Sequence, residues 1–360
     1  MSKAPSLVNL IGHPRDSLTQ YFTAWGINPL KVKPFMQGLY QKNILSFDYI
    51  EGLSKQDRAI LKEHACLEVQ KLSKPLFSND QSVKWTMPAS SSMVECVYLP
   101  EERRATLCVS SQCGCALKCK FCATGYQGFE ANLSKAQILS QVIGASDLLM
   151  HHFPAWQAIS NVVFMGMGEP LLNLEEVASV ANVLVDDYAY SLAKRRVTIS
   201  TSGIIPKILE CAKRAPVGLA ISLHAPDNDL RNEIVPINKK YPLEELIPAL
   251  KAYLEISKMD RVVVEYVMIK NVNDSLAQAK LLANLLKDVP CMINLIPYNP
   301  NPFVDYTCSS MEQIEAFTQY LKGRNYVVTV RRTRGEDIQG ACGQLVGAIK
   351  SRSKVRKVVC

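Results

Sequence analysis

No stretch of this chain is continuously apolar over the ~18 residues that a membrane-spanning helix needs. The opening Met1-Ser2-Lys3-Ala4-Pro5 lacks the apolar core of a signal peptide. There is no internal repeat and no low-complexity tract, which argues against a solenoid or a linker-like protein. What remains is an ordinary globular composition, 48% hydrophobic and 21% charged over 360 residues. That length suits one large domain with an appendage, or two domains. Twelve cysteines with no secretion signal point to a reducing compartment, where thiols serve as metal ligands or catalysts. The expectation is a cytoplasmic protein without membrane contact.

A second C-x2-C pair is also missing, although a structural zinc site normally draws four Cys or His ligands from close pairs. The chain instead carries a C-x3-C-x2-C run, Cys115, Cys119 and Cys122. Each thiolate can hold one iron of a cubane 4Fe-4S cluster, which leaves one iron open. An open iron on a reducing cluster can chelate S-adenosylmethionine and drive an electron into its sulfonium bond, releasing a carbon radical. The run resembles the signature of the radical S-adenosylmethionine superfamily, and Phe121 fits as the aromatic that shields the cluster. A zinc site with Cys113 as fourth ligand is the alternative; the nearest histidines are His151 and His152.

Net charge is +8, and the excess is clustered at Lys194-Arg195-Arg196, Lys239-Lys240, Arg331-Arg332 with Arg334, and Lys350, Arg352, Lys354, Arg356 and Lys357. Each cluster alone reads as a solvated surface; together they suit a polyanion such as RNA.

Residues 1 to about 75 read as short helices, among them Ser17 to Trp25 and Lys55 to Lys71. Val83-Lys84-Trp85 and Val94 to Leu99 read as strands around a turn. From about residue 104, strand and helix alternate. Apolar runs suited to buried parallel strands lie at Ala105 to Val109, Val162 to Met165, Val197 to Ser200, Gly218 to Leu223, Val262 to Met268, Met292 to Ile296 and Val327 to Val330. Ser134, Asn173 and Asp274 read as helix N-caps, Gly323 as a stop, and Pro248 as a late start or kink within Leu243 to Ile256. The fold class expected is α/β, a partial parallel (β/α)6 barrel with chemistry at the C-terminal strand ends. The domains expected are a helical accessory domain at 1–78 that binds RNA, a barrel with a leading β extension at 79–348, and a basic tail at 349–360.

Several residues fall at those strand ends. Gly166-Met167-Gly168-Glu169-Pro170 follows a strand; its glycines let backbone approach a ligand, and Glu169 can bind an ammonium group. Ser200, Ser222-Leu223-His224 and Asn299 supply neutral polar groups, with a buried, satisfied histidine as the plainer reading of His224. Cys108 leads into the cysteine loop, and Cys342 sits among small residues that suggest a mobile, accessible loop. Cys66, Cys96, Cys211 and Cys291 read as small core hydrophobes.

Cys108-Val109-Ser110-Ser111-Gln112, the cysteine run, Gly166 to Leu172, Ser200 to Gly203, Ala220 to Pro226, Ile234 to Tyr241 and Ala341 to Leu345 together resemble the RlmN/Cfr family, over roughly residues 80 to 348. The resemblance implies radical methylation of an RNA adenine, using one 4Fe-4S cluster and two S-adenosylmethionine molecules per turnover. It implies that Cys342 carries the methyl group, Cys108 resolves the protein–RNA adduct by disulfide formation, and Glu95 accepts the proton. It implies that Gly168, Glu169, Ser200, Ser222, Leu223, His224 and Asn299 hold S-adenosylmethionine. The implied partners are 23S ribosomal RNA, with transfer RNA for some members, an electron donor such as flavodoxin and a disulfide reductant; a monomer is expected. Gly168 to Asn173 and Ala220 to Pro226 are most like the RlmN branch, which acts at adenine carbon 2. Cys113 is more like the Cfr branch, which acts at carbon 8. Glu95 read alone is a surface carboxylate on an edge strand.

Overall fold

The computed structural model describes residues 7–152 and 158–346. The basic tail expected at 349–360, with Cys360, lies outside them. All seven apolar runs form strands. Ten strands, β1 (Leu76–Phe77), β2 (Val83–Ala89), β3 (Ser92–Pro100), β4 (Ala105–Cys108), β5 (Asn161–Phe164), β6 (Val197–Thr201), β7 (Gly218–Ser222), β8 (Val262–Met268), β9 (Cys291–Pro297) and β10 (Val327–Val330), make one sheet in sequential order. β1 to β4 pair antiparallel and β4 to β10 parallel.

Six helices cross between the parallel strands: α1 (Lys135–His152), α2 (Leu174–Val185), α3 (Ile205–Arg214), α4 (Leu243–Ser257), α5 (Leu276–Leu285) and α6 (Met311–Lys322). The layout is six βα units closed by a seventh parallel strand. The helices cover the central strands, so β7 is buried at Gly218 through Ile221. A parallel sheet needs this, since both of its faces are apolar.

The sheet curls. β3 and β10 stand seven strand spacings apart, about 34 Å if the sheet were flat. Yet Arg334, four residues past β10, donates through Nη1 to the carbonyl of Pro100 at the end of β3 (2.5 Å). Four extended residues and an arginine side chain reach only about 20 Å. The two sides must therefore have been brought together, and residues 331–346 span the gap as a strap.

The N-terminal segment folds as three short helices (Arg15–Ala24, Val32–Met36 and Lys55–His64) around Leu18, Phe22, Phe35 and Leu61, all fully buried. Val8–Asn9 pairs parallel with Ala65–Cys66, which is why the last helix stops at His64 rather than Lys71. This unit docks on the barrel. Arg15 binds Asp186 and Asp187 and lies 3.7 Å over the Tyr188 ring, and Asn43 Nδ2 meets Asp147 (3.0 Å).

Ser134 caps α1 reciprocally with Gln137, and Gly323 follows α6, as expected. Other caps differ. α5 is capped by Ser275, while Asp274 accepts from Asn271 N (3.0 Å). Asn173 precedes α2 but turns its amide to the carbonyls of Ser111 and Leu133. Pro248 neither delays nor breaks α4, which runs from Leu243 to Ser257. The proline removes only the bond to the Glu244 carbonyl; both residues are exposed, so water can serve that carbonyl, and Leu246, Leu250 and Tyr253 hold the helix from the other side. Replacing Pro248 with Ala should stabilise the protein by about 1–3 kcal/mol. A rise in the urea midpoint at unchanged slope is the expected reading.

Candidate active site at the strand ends

Cys115, Cys119 and Cys122 lie on the loop between the strand Gln112–Gly114 and a short helix, Ala123–Gln127. Gly114 is required here: at φ +70, a Cβ would fall 1.7 Å from the Gly128 carbonyl oxygen. The loop is pinned by Cys115 N to Gly128 O (3.0 Å), Lys120 N to Ile234 O (3.1 Å) and Ala123 N to Gly343 O (2.8 Å). Among the described residues, no group of three or more His, Cys, Asp or Glu could hold a metal ion. The three thiols are still near enough to push one another's pKa upward, on top of burial, which takes Cys115 to about 12. Three thiols that reach one another but do not converge on a single ion fit a multi-iron cluster, in which each meets its own iron. Positive irons bound there would also supply what burial withholds, since a coordinating thiol is deprotonated outright.

Cys113 does not join them. It is fully buried and its Sγ donates to the Ala89 carbonyl (3.3 Å). Phe121 packs edge-on to His224 with ring centroids 4.5 Å apart, walling the loop on the side of β7.

Glu169 is buried beside this loop. Its N–H donates to Gln112 Oε1 (2.8 Å), while its carboxylate accepts from Leu171 N (3.1 Å) and Ser202 N (2.8 Å). Burial raises its pKa, and those donors oppose the rise. Gly168, at φ +102, packs so closely that a Cβ would lie 2.5 Å from Gln112 Cβ. Ser200 lies within β6, Ser222 ends β7, and buried Leu223 follows.

His224 is buried in the left-handed region at φ +61, and its Nδ1 accepts from Val267 N (3.1 Å). Burial and Arg231 lower its pKa to about 3, so the ring is neutral with its proton on Nε2. Asn299 donates to the Cys342 carbonyl (3.0 Å).

Cys342 is not on a free loop. Gly343, Leu345 and Val346 bond to Ala123, Thr124 and Glu95, and Gln344 Nε2 reaches the Pro300 carbonyl (3.1 Å). Cys342 lines a cavity with Cys108, Cys122, Met165, Gly166 and Arg331. Burial is the main cause that lifts the Cys108 thiol to about 12, Cys342 adds to it, and Arg331 pulls it down.

Glu95 is neither on an edge strand nor at the surface. It sits in β3 between β2 and β4, 5% exposed, with Oε1 3.1 Å from Lys84 Nζ and Oε2 accepting from Val346 N (3.0 Å).

Two arginines escaped the sequence reading. Arg331, grouped there with surface cations, lines the cavity and is held charged chiefly by Cys342 and then by Glu265. Arg334 is spent on Pro100, which leaves Arg332 as the exposed member of that group. Arg231 is fully buried in the helix Asn228–Ile234. Its signal was available, since Ile234 and Val235 at i+3 and i+4 put it on an apolar face. The clusters Lys194-Arg195-Arg196 and Lys239-Lys240 are exposed.

A family model for the radical SAM superfamily matches residues 109–280, and one for the ribosomal RNA large subunit methyltransferase N-terminal domain matches residues 8–67. The dual-specificity RNA methyltransferase RlmN of Vesicomyosocius okutanii subsp. Calyptogena okutanii (strain HA) is 46% identical over 348 residues, 96% of this chain and 97% of that protein. The protein of the same name from Ruthia magnifica subsp. Calyptogena magnifica is 45% identical over the same shares. The crystal structure of a radical SAM methyltransferase from Sphaerobacter thermophilus superposes with a TM-score of 0.84 at 36% identity, covering 94% of this chain and 99% of that one.

The buried Lys84–Glu95 pair gives a stability test. Lys84→Met strands a buried carboxylate and should cost about 3–5 kcal/mol, whereas Lys84→Met with Glu95→Gln should recover most of it. Denaturant melts of both variants check this; a double variant no more stable than the single one contradicts it.

Proposed function

This chain belongs to the RlmN family of radical S-adenosylmethionine RNA methyltransferases, and we propose that it methylates carbon 2 of adenine in 23S ribosomal RNA and in transfer RNA. The observation that carries the reading is one cavity shared by Cys342, Cys108 and Cys122 of the cysteine loop. Carbon 2 lies between two ring nitrogens and is electron-poor, so it resists polar methyl transfer but accepts a carbon radical. The dual specificity in the names of the relatives supports two RNA classes.

Cys115, Cys119 and Cys122 would hold a 4Fe-4S cluster, and Gly168, Glu169, Ser200, Ser222, Leu223, His224 and Asn299 would hold S-adenosylmethionine at its open iron. Together these groups supply a radical able to remove a hydrogen atom from a methyl group. Glu169 still has carboxylate lone pairs for an ammonium group, and neutral His224 has one N–H to donate.

Cys342 gives up its thiol proton to solvent and takes a methyl group from a first S-adenosylmethionine by displacement, S-adenosylhomocysteine leaving, and Arg331 steadies the sulfur as it becomes nucleophilic. The methyl group then loses a hydrogen atom, its carbon bonds to carbon 2 of the base, and the resulting radical adduct would return one electron to the oxidised cluster held by Cys115, Cys119 and Cys122. Glu95 accepts the proton that leaves that ring carbon, its carboxylate held in place by Lys84 Nζ 3.1 Å away. The sulfur of Cys108 attacks that of Cys342, the bond from Cys342 to the methylene carbon breaks, and the carbon takes up a proton as the methylated base departs. The disulfide left behind must be reduced before another turnover, which suits the cytoplasm and a reductant there. Residues 1–78 would act as the RNA-binding accessory domain, and the target adenine would have to leave its stack to enter the cavity.

Mass spectrometry of digested RNA after incubation with reconstituted protein should reveal 2-methyladenosine. The appearance of 8-methyladenosine instead would assign the Cfr-like activity. Cys108→Ala should trap a protein–RNA crosslink and Cys342→Ala should give none; normal turnover by the Cys108 variant would remove its resolving role.

A further inference from the structure

Arg231 is 0% exposed, yet all its acceptors are neutral. Nε donates to Leu223 O (3.0 Å), Nη1 to Asn238 Oδ1 (2.6 Å), and Nη2 to Ser202 O (2.8 Å) and Ser222 O (3.2 Å). A buried charge is normally paired with an opposite one. Among the described residues, none of the ion pairs includes Arg231.

Burial lowers its pKa to about 10, and negative charge on the Cys119 sulfur would oppose that fall. Ser202 links the two: its carbonyl takes the Arg231 bond, its N–H binds Glu169, and its side chain reaches the Cys119 sulfur. The helix bearing Arg231 also holds the cysteine loop, through Lys120 N to Ile234 O and Lys120 Nζ to Glu233 (2.8 Å).

We propose that Arg231 is a positioning residue with two effects: it is the permanent countercharge of the metal–thiolate centre, and its fork fixes the ends of β6 and β7 that receive S-adenosylmethionine. Three thiolates make the centre anionic, and reduction adds a further negative charge. A fixed cation in the low-dielectric interior stabilises the reduced form more than the oxidised one. The fork draws the carbonyls of Ser202, Ser222 and Leu223 toward one point, setting the peptide planes beside Glu169 and His224. Lysine can carry the charge but not the fork.

The proposal rests on Cys115, Cys119 and Cys122 holding the cluster. Iron and acid-labile sulfide in reconstituted wild-type protein test that premise separately, and their absence would end both readings. With the cluster present, Arg231→Gln and Arg231→Lys are reconstituted and their midpoint potentials followed by electron paramagnetic resonance. The Gln variant should keep its iron and sulfide but fall at least about tenfold in reduction equilibrium constant, about 59 mV for one electron. The Lys variant should stay within about threefold of wild type, again on the one-electron scale.

Both variants should bind S-adenosylmethionine at least about tenfold more weakly, read from the shift it induces in the spectrum. If Arg231→Gln does not accumulate, Asn238→Asp, which keeps an acceptor and cancels the charge, should give the same downward shift. An unshifted potential in the charge-cancelling variant overturns the countercharge, and wild-type binding by Arg231→Lys overturns the fork.

Discussion

The site depends on the strap that runs from Arg331 to Val346. Among the described residues no strand pairing closes the sheet, and hydrogen bonds from this segment join its two sides. Arg334 bonds to Pro100, Gly335 to Asp80, Gln339 to Lys84, and Val346 to Glu95. Each contact ties the segment carrying Cys342 to the antiparallel extension that carries Glu95. The same contacts bring Cys342 over Cys108 and the cysteine loop. The segment that bridges the curled sheet thus also places Cys342 in one cavity with Cys108.

Burial sets the electrostatics of that enclosure. The thiols of Cys108, Cys115, Cys119 and Cys122 are all pushed upward, chiefly because a dry interior opposes thiolate charge. The opposing positive charge comes from two arginines at separate places. Arg331 faces the Cys342 and Cys108 pair, and Arg231 faces Cys119. The two chemistries proposed for the chain, polar transfer at sulfur and one-electron reduction at iron, would thus each have their own cation.

What could be read from the sequence was local. The C-x3-C-x2-C spacing, the seven apolar runs and the Ser134 capping box are short-range patterns, and each appears in the fold. The late start expected from Pro248 is not found because helix propensity ignores tertiary packing, and here the buried face of α4 outweighs one missing bond. The setting of Glu95 was invisible for another reason. Its partners Lys84 and Val346 lie 11 and 251 positions away, and only the resemblance singled it out. Arg331 was grouped with surface cations and Arg231 was not singled out, yet Arg331 lines the cavity and Arg231 is fully buried. The loop around Cys342 looked mobile from its small residues, but small residues also permit the close approach that its hydrogen bonds need.

The docking of the N-terminal helices has a geometric consequence. Arg15 clamps onto Asp186 and Asp187, beyond the end of α2, and Asn43 fastens to α1. A unit held at two separate helices cannot swivel freely. The surface it presents is therefore held in one orientation relative to α1 and α2.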